Sequence, residues 1–150
     1  MIPWKHLGTA KTSRNGAELR LYQRDKEFSI KADSQELMNS QVHGSEDALA
    51  KLACEKITNH PEVRVLVGGL GLGYTLRAAL NELKHDAKVV VAEIVPEVLE
   101  WNQKFLGHLA DHPLEDGRVE VQLEDVAEVI KADRNYYNAI MLDVDNGPQA

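Results

Sequence analysis

The chain has 150 residues, of which 43% are hydrophobic and 27% charged, and its net charge is −7 from 24 acidic and 17 basic side chains. This length is sufficient for one domain with a buried core, and the acidic balance argues against nucleic acid as the main partner. No run of about eighteen apolar residues predicts a membrane span, and the polar start lacks the features of a secretory signal. A single cysteine, Cys54, allows no internal disulfide, so we expect a cytoplasmic protein.

The first part of the chain shows the alternation of polar and apolar residues that is typical of β-strands. This pattern predicts strands over Glu18–Arg24 and Glu27–Ala32, which are separated by two turn residues and therefore pair as a hairpin. A second turn leads into a short third strand over Gln35–Asn39. We therefore expect a small N-terminal β-hairpin element over residues 1–42.

Residues 43–150 alternate between predicted helices and strands and form one Rossmann-like domain. A helix begins at Ser45, which is predicted as its N-cap, and its apolar side includes Leu49, Leu52 and Cys54. The other predicted elements are strands over 63–67, Lys88–Ala92, 119–123 and 137–142, and helices over 74–83, 96–109 and Val126–Ala132. Strands that are apolar on both faces indicate a parallel sheet covered by helices on both sides, so the predicted fold class is α/β, doubly wound.

The chain stops directly after the fourth predicted parallel strand. An open sheet that ended there would leave an apolar strand edge unpaired, and such edges promote aggregation. We therefore expect the C-terminal strands of the sheet to be missing from this sequence; the alternative is that another chain covers the edge.

Three glycines separate the first parallel strand from the helix that follows. Gly69, Gly71 and Gly73 form the pattern G-x-G-x-G in the stretch VRVLVGGLGLGYTLRAAL. Glycines there allow a tight turn and a close approach of a ligand to the backbone, and the free amides of the helix N-terminus favour a negative or polar group. The pattern predicts a nucleotide-binding turn; the alternative is that the glycines serve only the turn itself.

Acidic side chains follow the next three predicted strands. Glu93 stands twenty residues after Gly73, where a carboxylate can accept hydrogen bonds from both ribose hydroxyls of a nucleotide. Asp125 can accept a hydrogen bond from an adenine amino group, and it can also cap the helix that follows. Asp143 ends the fourth strand, and Asp145 either continues that rim or belongs to an ordinary turn. Because the carboxyl ends of parallel strands face one crevice, these positions predict a nucleoside site there.

Two features beside these strands have more than one interpretation. Tyr74 directly follows the glycines and is either a packing residue or a lid over a bound nucleoside. His108 and His112 have the spacing of a metal-binding pair on a helix, but Pro113 follows at once and no third ligand is evident. We therefore predict no metal site.

The segments around these residues resemble the spermidine and spermine synthase family of aminopropyltransferases, which shares its core with the class I S-adenosylmethionine-dependent methyltransferases. The resemblance covers roughly residues 18–148 and rests on four segments, VLVGGLGLGYTLR, VVVAEIVPEVLE, VEVQLEDVAEVI and YYNAIMLDVDNGP. It implies a transferase of polyamine biosynthesis, in which an aminopropyl group moves from decarboxylated S-adenosylmethionine to a polyamine, a small-molecule amine. A homodimer is also implied.

The resemblance gives each carboxylate a role. Glu93 would bind the ribose of the nucleoside, and Asp125 would bind its adenine. Asp143 would be the catalytic base, which accepts a proton from the attacking amine as the aminopropyl group leaves the sulfonium. A protonated amine is not a nucleophile, so a carboxylate beside it suits this chemistry.

Several positions depart from the family pattern. Leu72 stands where the family has an Asp that holds the amino end of the decarboxylated donor. Gly44 and Ser45 replace a Tyr-Gln pair that touches donor and acceptor, and the turn after Asp143 is too short to equate Asp145 with the family's second acceptor-binding acid. These departures keep two alternatives open: a methyltransferase that uses S-adenosylmethionine on a small molecule, and a family member that binds a nucleoside without catalysis.

Overall fold

The computed structural model describes residues 2–12, 16–133 and 135–142, which contain two four-stranded sheets. The N-terminal sheet is antiparallel, and its strands follow chain order: β1 Lys5–Lys11, β2 Glu18–Arg24, β3 Glu27–Ala32 and β4 Gln35–Asn39. The predictions for β2, β3 and β4 are confirmed with the same bounds. Asp25 and Asp33 lie in the two tight turns with φ angles of 54° and 56°, a conformation that Asp adopts more readily than most residues.

The sequence does not predict β1, because KHLGTAK lacks a regular alternation of polar and apolar residues. The pairing of β1 with β2 shifts in register between His6 and Gly8. Gly8 packs against the indole of Trp101, and a Cβ atom on this glycine would lie 2.5 Å from Nε1 of that ring. Contacts with β2 and with the distant Trp101 therefore position β1.

The second sheet is parallel and alternates with helices, as predicted. Its elements are α1 Ser45–Cys54, β5 Arg64–Gly68, α2 Tyr74–Glu82, β6 Lys88–Ala92, α3 Pro96–Trp101, β7 Val119–Gln122, α4 Val126–Ala132 and β8 Ala139–Leu142. The strand order is β7-β6-β5-β8, so the chain moves outward from β5 to β7 and then returns to pair β8 with the other edge of β5. Open parallel sheets bind ligands in the crevice at such a switch point, here at the carboxyl ends of β5 and β8.

Both faces of the parallel sheet are covered by other elements. One face of β5 and β6 joins the main hydrophobic core, which continues into the N-terminal sheet and includes Leu21, Ile30, Val65, Val67, Val89 and Val91. On the other face, Leu66 and Val90 cluster with Val129 of α4. The predicted fold class, an α/β sheet with helices on both sides, is confirmed. None of the helices in the described ranges combines the length and the apolar character that a membrane crossing needs.

The start of α1 differs from the prediction that Ser45 is the N-cap. Gly44 occupies the cap position with a φ angle of 132°, and Ser45 is the first helical residue. The N–H of Gly44 donates to Oε2 of Glu46 over 2.6 Å. A glycine is favoured at Gly44 because this positive φ angle is strained for residues with a Cβ atom.

The buried side of α1 also differs from the predicted apolar side. Leu49 and Leu52 are 41% and 73% exposed, whereas Ala50 is fully buried. Cys54 is fully buried, as its predicted place on the apolar side requires. The helix packs against α2 and β8, and this contact decides which of its apolar residues face the core. Burial raises the pKa of the Cys54 thiol, as expected for a core residue rather than a nucleophile.

The helix predicted over 96–109 is a regular α-helix only as far as Trp101. It continues as a π-helix over Asn102–Leu106 and a 3-10 helix over Gly107–Ala110. Asp111 and His112 then follow with φ angles of 56° and 51°, before a second short 3-10 helix. The predicted bounds of β6 and α4 are confirmed, and the ends of β5, α2, β7 and β8 lie within two residues of the predicted ones. The apolar pattern of the first helix extends to Ile57, but α1 ends at Cys54.

Candidate functional site

Three glycines shape the loop between β5 and α2. Gly69, Gly71 and Gly73 have φ angles of 95°, 51° and 91°, in the region that side chains disfavour. The N–H of Gly69 donates to the carbonyl of Ala92 in β6 over 2.8 Å. The N–H of Gly73 donates to the carbonyl of Leu70 over the same distance. The loop is therefore a specific hydrogen-bonded turn that joins β5, β6 and α2.

The leucines between these glycines anchor the loop in the protein interior. Leu70 is completely buried, and Leu72 is 4% exposed and belongs to the main core. The side chain of Leu72 thus packs into the core rather than facing the crevice. This buried position would be unfavourable for the charged side chain of an Asp. Within the described part of the chain, the backbone N–H groups of Gly71 and Leu72 donate to no partner. This loop therefore offers a ligand its backbone rather than the side chain of Leu72.

Glu93 lies directly after β6 and is 7% exposed. Its Oε1 atom accepts a hydrogen bond of 2.9 Å from the N–H of Leu70, and its Oε2 atom accepts one of 3.0 Å from the N–H of Val95. Two backbone donors thus compensate the burial of this carboxylate. Each carboxylate oxygen has a second lone pair, so these bonds leave acceptor capacity for hydroxyl groups of a ligand.

The carboxyl ends of β6 and β7 lie side by side at the same edge of the sheet as those of β5 and β8. The N–H of Glu93 donates to the carbonyl of Gln122 over 2.9 Å, which places Glu93 next to the chain that leads to Asp125. Asp125 caps α4, because its Oδ1 atom accepts a hydrogen bond of 2.9 Å from the N–H of Ala127. The capping role predicted for Asp125 is confirmed, and it is compatible with a second contact to a ligand.

Two apolar residues at these strand ends were not among the predicted site residues. Ile94 follows Glu93 and is 45% exposed, and Leu123 follows β7 and is 53% exposed. Both leave apolar side-chain surface exposed at the ends of neighbouring strands. The sequence gives little indication of these two residues, because an apolar residue after a strand is hard to distinguish from the apolar residues of the strand itself.

Asn102 is a third residue that the sequence does not single out. It is 3% exposed, and its Nδ2 atom donates to the carbonyl of Gly71 over 2.8 Å and to that of Val98 over 2.9 Å. A polar residue four positions after Val98 and next to Trp101, on the buried side of a helix, is the pattern that could have identified it.

Tyr74 connects the glycine loop to the segment that precedes α1. Its hydroxyl donates to the carbonyl of Ser40 over 3.4 Å, and its ring stacks on His43 with centroids 4.0 Å apart and planes 9° apart. Burial, and to a smaller extent the charge of Glu46, raises the pKa of Tyr74. Tyr74 thus packs against His43, the residue that precedes Gly44 in the chain.

Asp143 and Asp145 lie outside the described residues; the structure describes β8 up to Leu142, which pairs with Gly68 of β5. Among the described residues, no three His, Cys, Asp or Glu side chains are grouped as a metal site would require. His108 instead packs edge-on against Phe28, with ring centroids 5.6 Å apart.

The sequence matches one family of known proteins. Residues 42–150 match the model of the spermine/spermidine synthase domain. The chain is 37% identical over 86 residues to the polyamine aminopropyltransferase of Bacillus subtilis (strain 168), and this match covers 56% of the chain and 29% of that protein. It is 33% identical over 88 residues to the polyamine aminopropyltransferase of Saccharolobus solfataricus, covering 59% of the chain and 29% of that protein.

A solved structure shows the same fold. The chain superposes on spermidine synthase from Thermotoga maritima with a TM-score of 0.69 and 18% sequence identity, over 93% of this chain and 46% of that one. The chain therefore matches less than half of each of these relatives. The domain match nevertheless extends over most of the residues described above. The chain belongs to the spermine/spermidine synthase family.

Proposed function

We propose that this chain forms the nucleoside-binding part of an aminopropyltransferase. The observation that carries the proposal is the bond of 2.9 Å between the N–H of Leu70 and Oε1 of Glu93, which ties the glycine loop to a buried carboxylate at the end of β6. A carboxylate in this position can accept hydrogen bonds from both ribose hydroxyls. The names of the two curated relatives, both polyamine aminopropyltransferases, support the same reaction class.

The adenine of the donor would lie against the exposed ends of β6 and β7. Ile94 and Leu123 provide exposed apolar surface there, and Asp125 follows within two residues of Leu123. In this arrangement the carboxylate of Asp125 caps α4 and also accepts a hydrogen bond from the adenine amino group.

In the proposed reaction, a neutral amine nitrogen of a polyamine attacks the propyl carbon that is bonded to the sulfonium of decarboxylated S-adenosylmethionine. The nitrogen–carbon bond forms as the carbon–sulfur bond breaks, and the bonding electrons pass to sulfur, which leaves as a neutral thioether nucleoside. Asp143 would hold the cationic amine and accept the proton that it loses. The sulfonium is already an activated leaving group, so the step needs no metal. The net charge of −7 suits a cationic donor and acceptor.

Methyl transfer from S-adenosylmethionine is the second candidate, and the placement of Leu72 favours it. The loop has no carboxylate at this position for the ammonium group of a decarboxylated donor, because Leu72 is buried in the core. The unbonded N–H groups of Gly71 and Leu72 would suit an acceptor, such as the carboxylate of an amino-acid tail. Donor selectivity requires a polar group that only one of the two donors satisfies.

Thermal-shift titration of the chain separates these functions. We expect decarboxylated S-adenosylmethionine and 5′-methylthioadenosine to raise the melting temperature, because a ligand that binds only the folded state stabilises it. Stabilisation by S-adenosylmethionine alone would favour methyl transfer. Stabilisation by the decarboxylated donor, with no product detected by mass spectrometry for any polyamine, would indicate nucleoside binding without catalysis. If none of the three ligands shifts the melting temperature, the proposed nucleoside site is wrong.

A further inference from the structure

Asn102 is a buried amide that links the glycine loop to the helix that follows β6. It is the first residue of the π-helix that follows α3, and π-turns are frequent at functional sites. Its two donor bonds go to the carbonyls of Gly71 and Val98, while its Oδ1 atom has no partner among the described groups. An unpaired buried acceptor is costly, and a leucine of similar volume would avoid that cost. The bond to Gly71 is therefore the feature that explains an amide here.

The bond from Asn102 fixes the direction of one peptide group. In a trans peptide the carbonyl of one residue and the N–H of the next point in opposite directions, and none of the described peptide bonds is cis. Because the carbonyl of Gly71 points toward Asn102, the N–H of Leu72 points away from α3. The side chain of the same residue, Leu72, is buried in the main core. Two anchors thus orient an N–H that has no partner in the described part of the chain.

Other contacts pack closely around Asn102 and the glycine loop. A Cβ atom on Gly73 would lie 3.3 Å from Cγ of Pro113 and 3.4 Å from Oδ1 of Asn102. Arg77 of α2 donates from Nε to the carbonyl of Ala110 over 2.8 Å and from Nη2 to that of Asp111 over 2.7 Å. The start of α2 and the segment after the π-helix are therefore held together, with Asn102 between them and the loop.

We propose that Asn102 is a positioning residue, which aims the N–H of Leu72 into the crevice as a hydrogen-bond donor to the bound adenosyl ligand. This proposal rests on the proposed nucleoside site. It gives the loop a backbone donor at the position where the family pattern has an acidic side chain. It also gives the buried amide of Asn102 a role, which it performs through the loop and not by contact with the ligand.

The test compares Asn102→Leu with a matched control, Thr58→Val. Thr58 donates from Oγ1 to the carbonyl of Glu82 over 3.0 Å, so the control also removes a side-chain donor to a backbone carbonyl, at the far end of α2. Isothermal titration with 5′-methylthioadenosine measures affinity, and urea unfolding measures stability. We expect Asn102→Leu to weaken binding about three- to tenfold, the effect of one misaligned hydrogen bond, and Thr58→Val to leave the affinity unchanged.

Amide hydrogen exchange of the ligand-free proteins keeps the test independent of the proposed function. We expect the N–H groups of Leu70 and Gly73, which are hydrogen-bonded in the parent, to exchange faster in Asn102→Leu than in the parent or in Thr58→Val, because the loop loses an anchor. If the parent does not bind the nucleoside, the proposed nucleoside site is wrong, and so is the proposal that the N–H of Leu72 donates to a ligand. If exchange in the loop is unchanged, or if affinity falls equally in the two variants, the positioning role of Asn102 is wrong.

Discussion

Oε1 of Glu93 accepts a hydrogen bond of 2.9 Å from the N–H of Leu70, twenty-three residues earlier in the chain. The bond links the end of β6 to the glycine loop that follows β5, and Oε2 of the same carboxylate accepts from Val95. Glu93 therefore has a structural role in the loop in addition to its proposed contact with ribose. A change at Glu93 should affect both stability and ligand binding.

Substitution Glu93→Gln should destabilise the fold by about 1–3 kcal/mol, because a neutral amide replaces a charged acceptor and turns an NH₂ group toward a backbone donor. Urea unfolding would measure this loss, and titration with 5′-methylthioadenosine should show weaker binding. Glu124→Gln is the control, since Glu124 is exposed nearby and should change stability by about 0.5 kcal/mol or less. Equal effects of the two variants would contradict the role assigned to Glu93.

Substitution Gly73→Ala should cost about 1–3 kcal/mol, because φ is 91° there and the new Cβ would lie 3.3 Å from Pro113. Gly117→Ala is a matched control, since a Cβ at Gly117 meets no atom within 4 Å. Thermal and urea unfolding of both variants would compare them. A neutral Gly73→Ala would mean that the loop adopts another conformation in solution.

Substitution Leu72→Asp introduces the acidic residue of the family pattern at this position. Because Leu72 is 4% exposed in the main core, the variant should lose about 3–5 kcal/mol of stability rather than gain selectivity for a decarboxylated donor. Leu52→Asp on α1, where the leucine is 73% exposed, should be nearly neutral in the same unfolding experiment. A stable Leu72→Asp protein with tighter binding of the decarboxylated donor would show that this side chain can face the crevice.

The ion pair between Asp116 and Arg118 should give the stability a specific pH dependence. Arg118 donates from Nε and Nη2 to the two carboxylate oxygens over 2.9 and 2.8 Å, and these bonds lower the pKa of Asp116 from 3.8 to about 2. Since the folded-state pKa lies below the unfolded value, the contribution is complete above about pH 4 and disappears as the pH falls toward 2. We expect it to be about 1–2 kcal/mol, because the pair is partly in contact with water.

Urea unfolding as a function of pH would measure this contribution. The parent should lose stability between about pH 4 and pH 2, and Asp116→Asn should lose less over the same range, since it has no carboxylate to protonate. Glu100→Gln, which removes an exposed ion pair with Lys104, is the control and should retain the pH dependence of the parent. Parallel curves for the parent and Asp116→Asn would contradict the prediction.

Substitution Asp143→Asn tests the proposed base. If Asp143 accepts the proton of the attacking amine, turnover should fall by about 10²-fold or more, while the affinity for the thioether nucleoside stays close to that of the parent. Product formation followed by mass spectrometry would measure turnover. Asp133→Asn, at the exposed end of α4, should leave turnover unchanged. Turnover that survives Asp143→Asn would exclude this residue as the base.

Local patterns in the sequence predict most of the fold. The alternation in β2 and β3 and the apolar runs of β5 and β6 reflect which faces of a strand are buried. Neighbouring residues along the strand are enough to recognise this pattern. The same holds for Gly69 and Glu93, because a glycine turn and an acid that ends a strand are recognisable without their partners. The glycine turn and the carboxylate beside it were therefore predictable from the sequence.

Contacts between distant residues decide the rest, and no local pattern contains them. β1 depends on Gly8 meeting Trp101, and the buried side of α1 depends on its contact with α2 and β8. The inward packing of Leu72 and the bond from Asn102 to Gly71 likewise depend on the core and on the π-helix. The sequence by itself determined the order of the helices and strands from β2 onward and the acids that follow the strands. Only the tertiary structure decided which side chains are buried and which backbone N–H groups have hydrogen-bond partners, because burial and hydrogen bonding are properties of the packed chain.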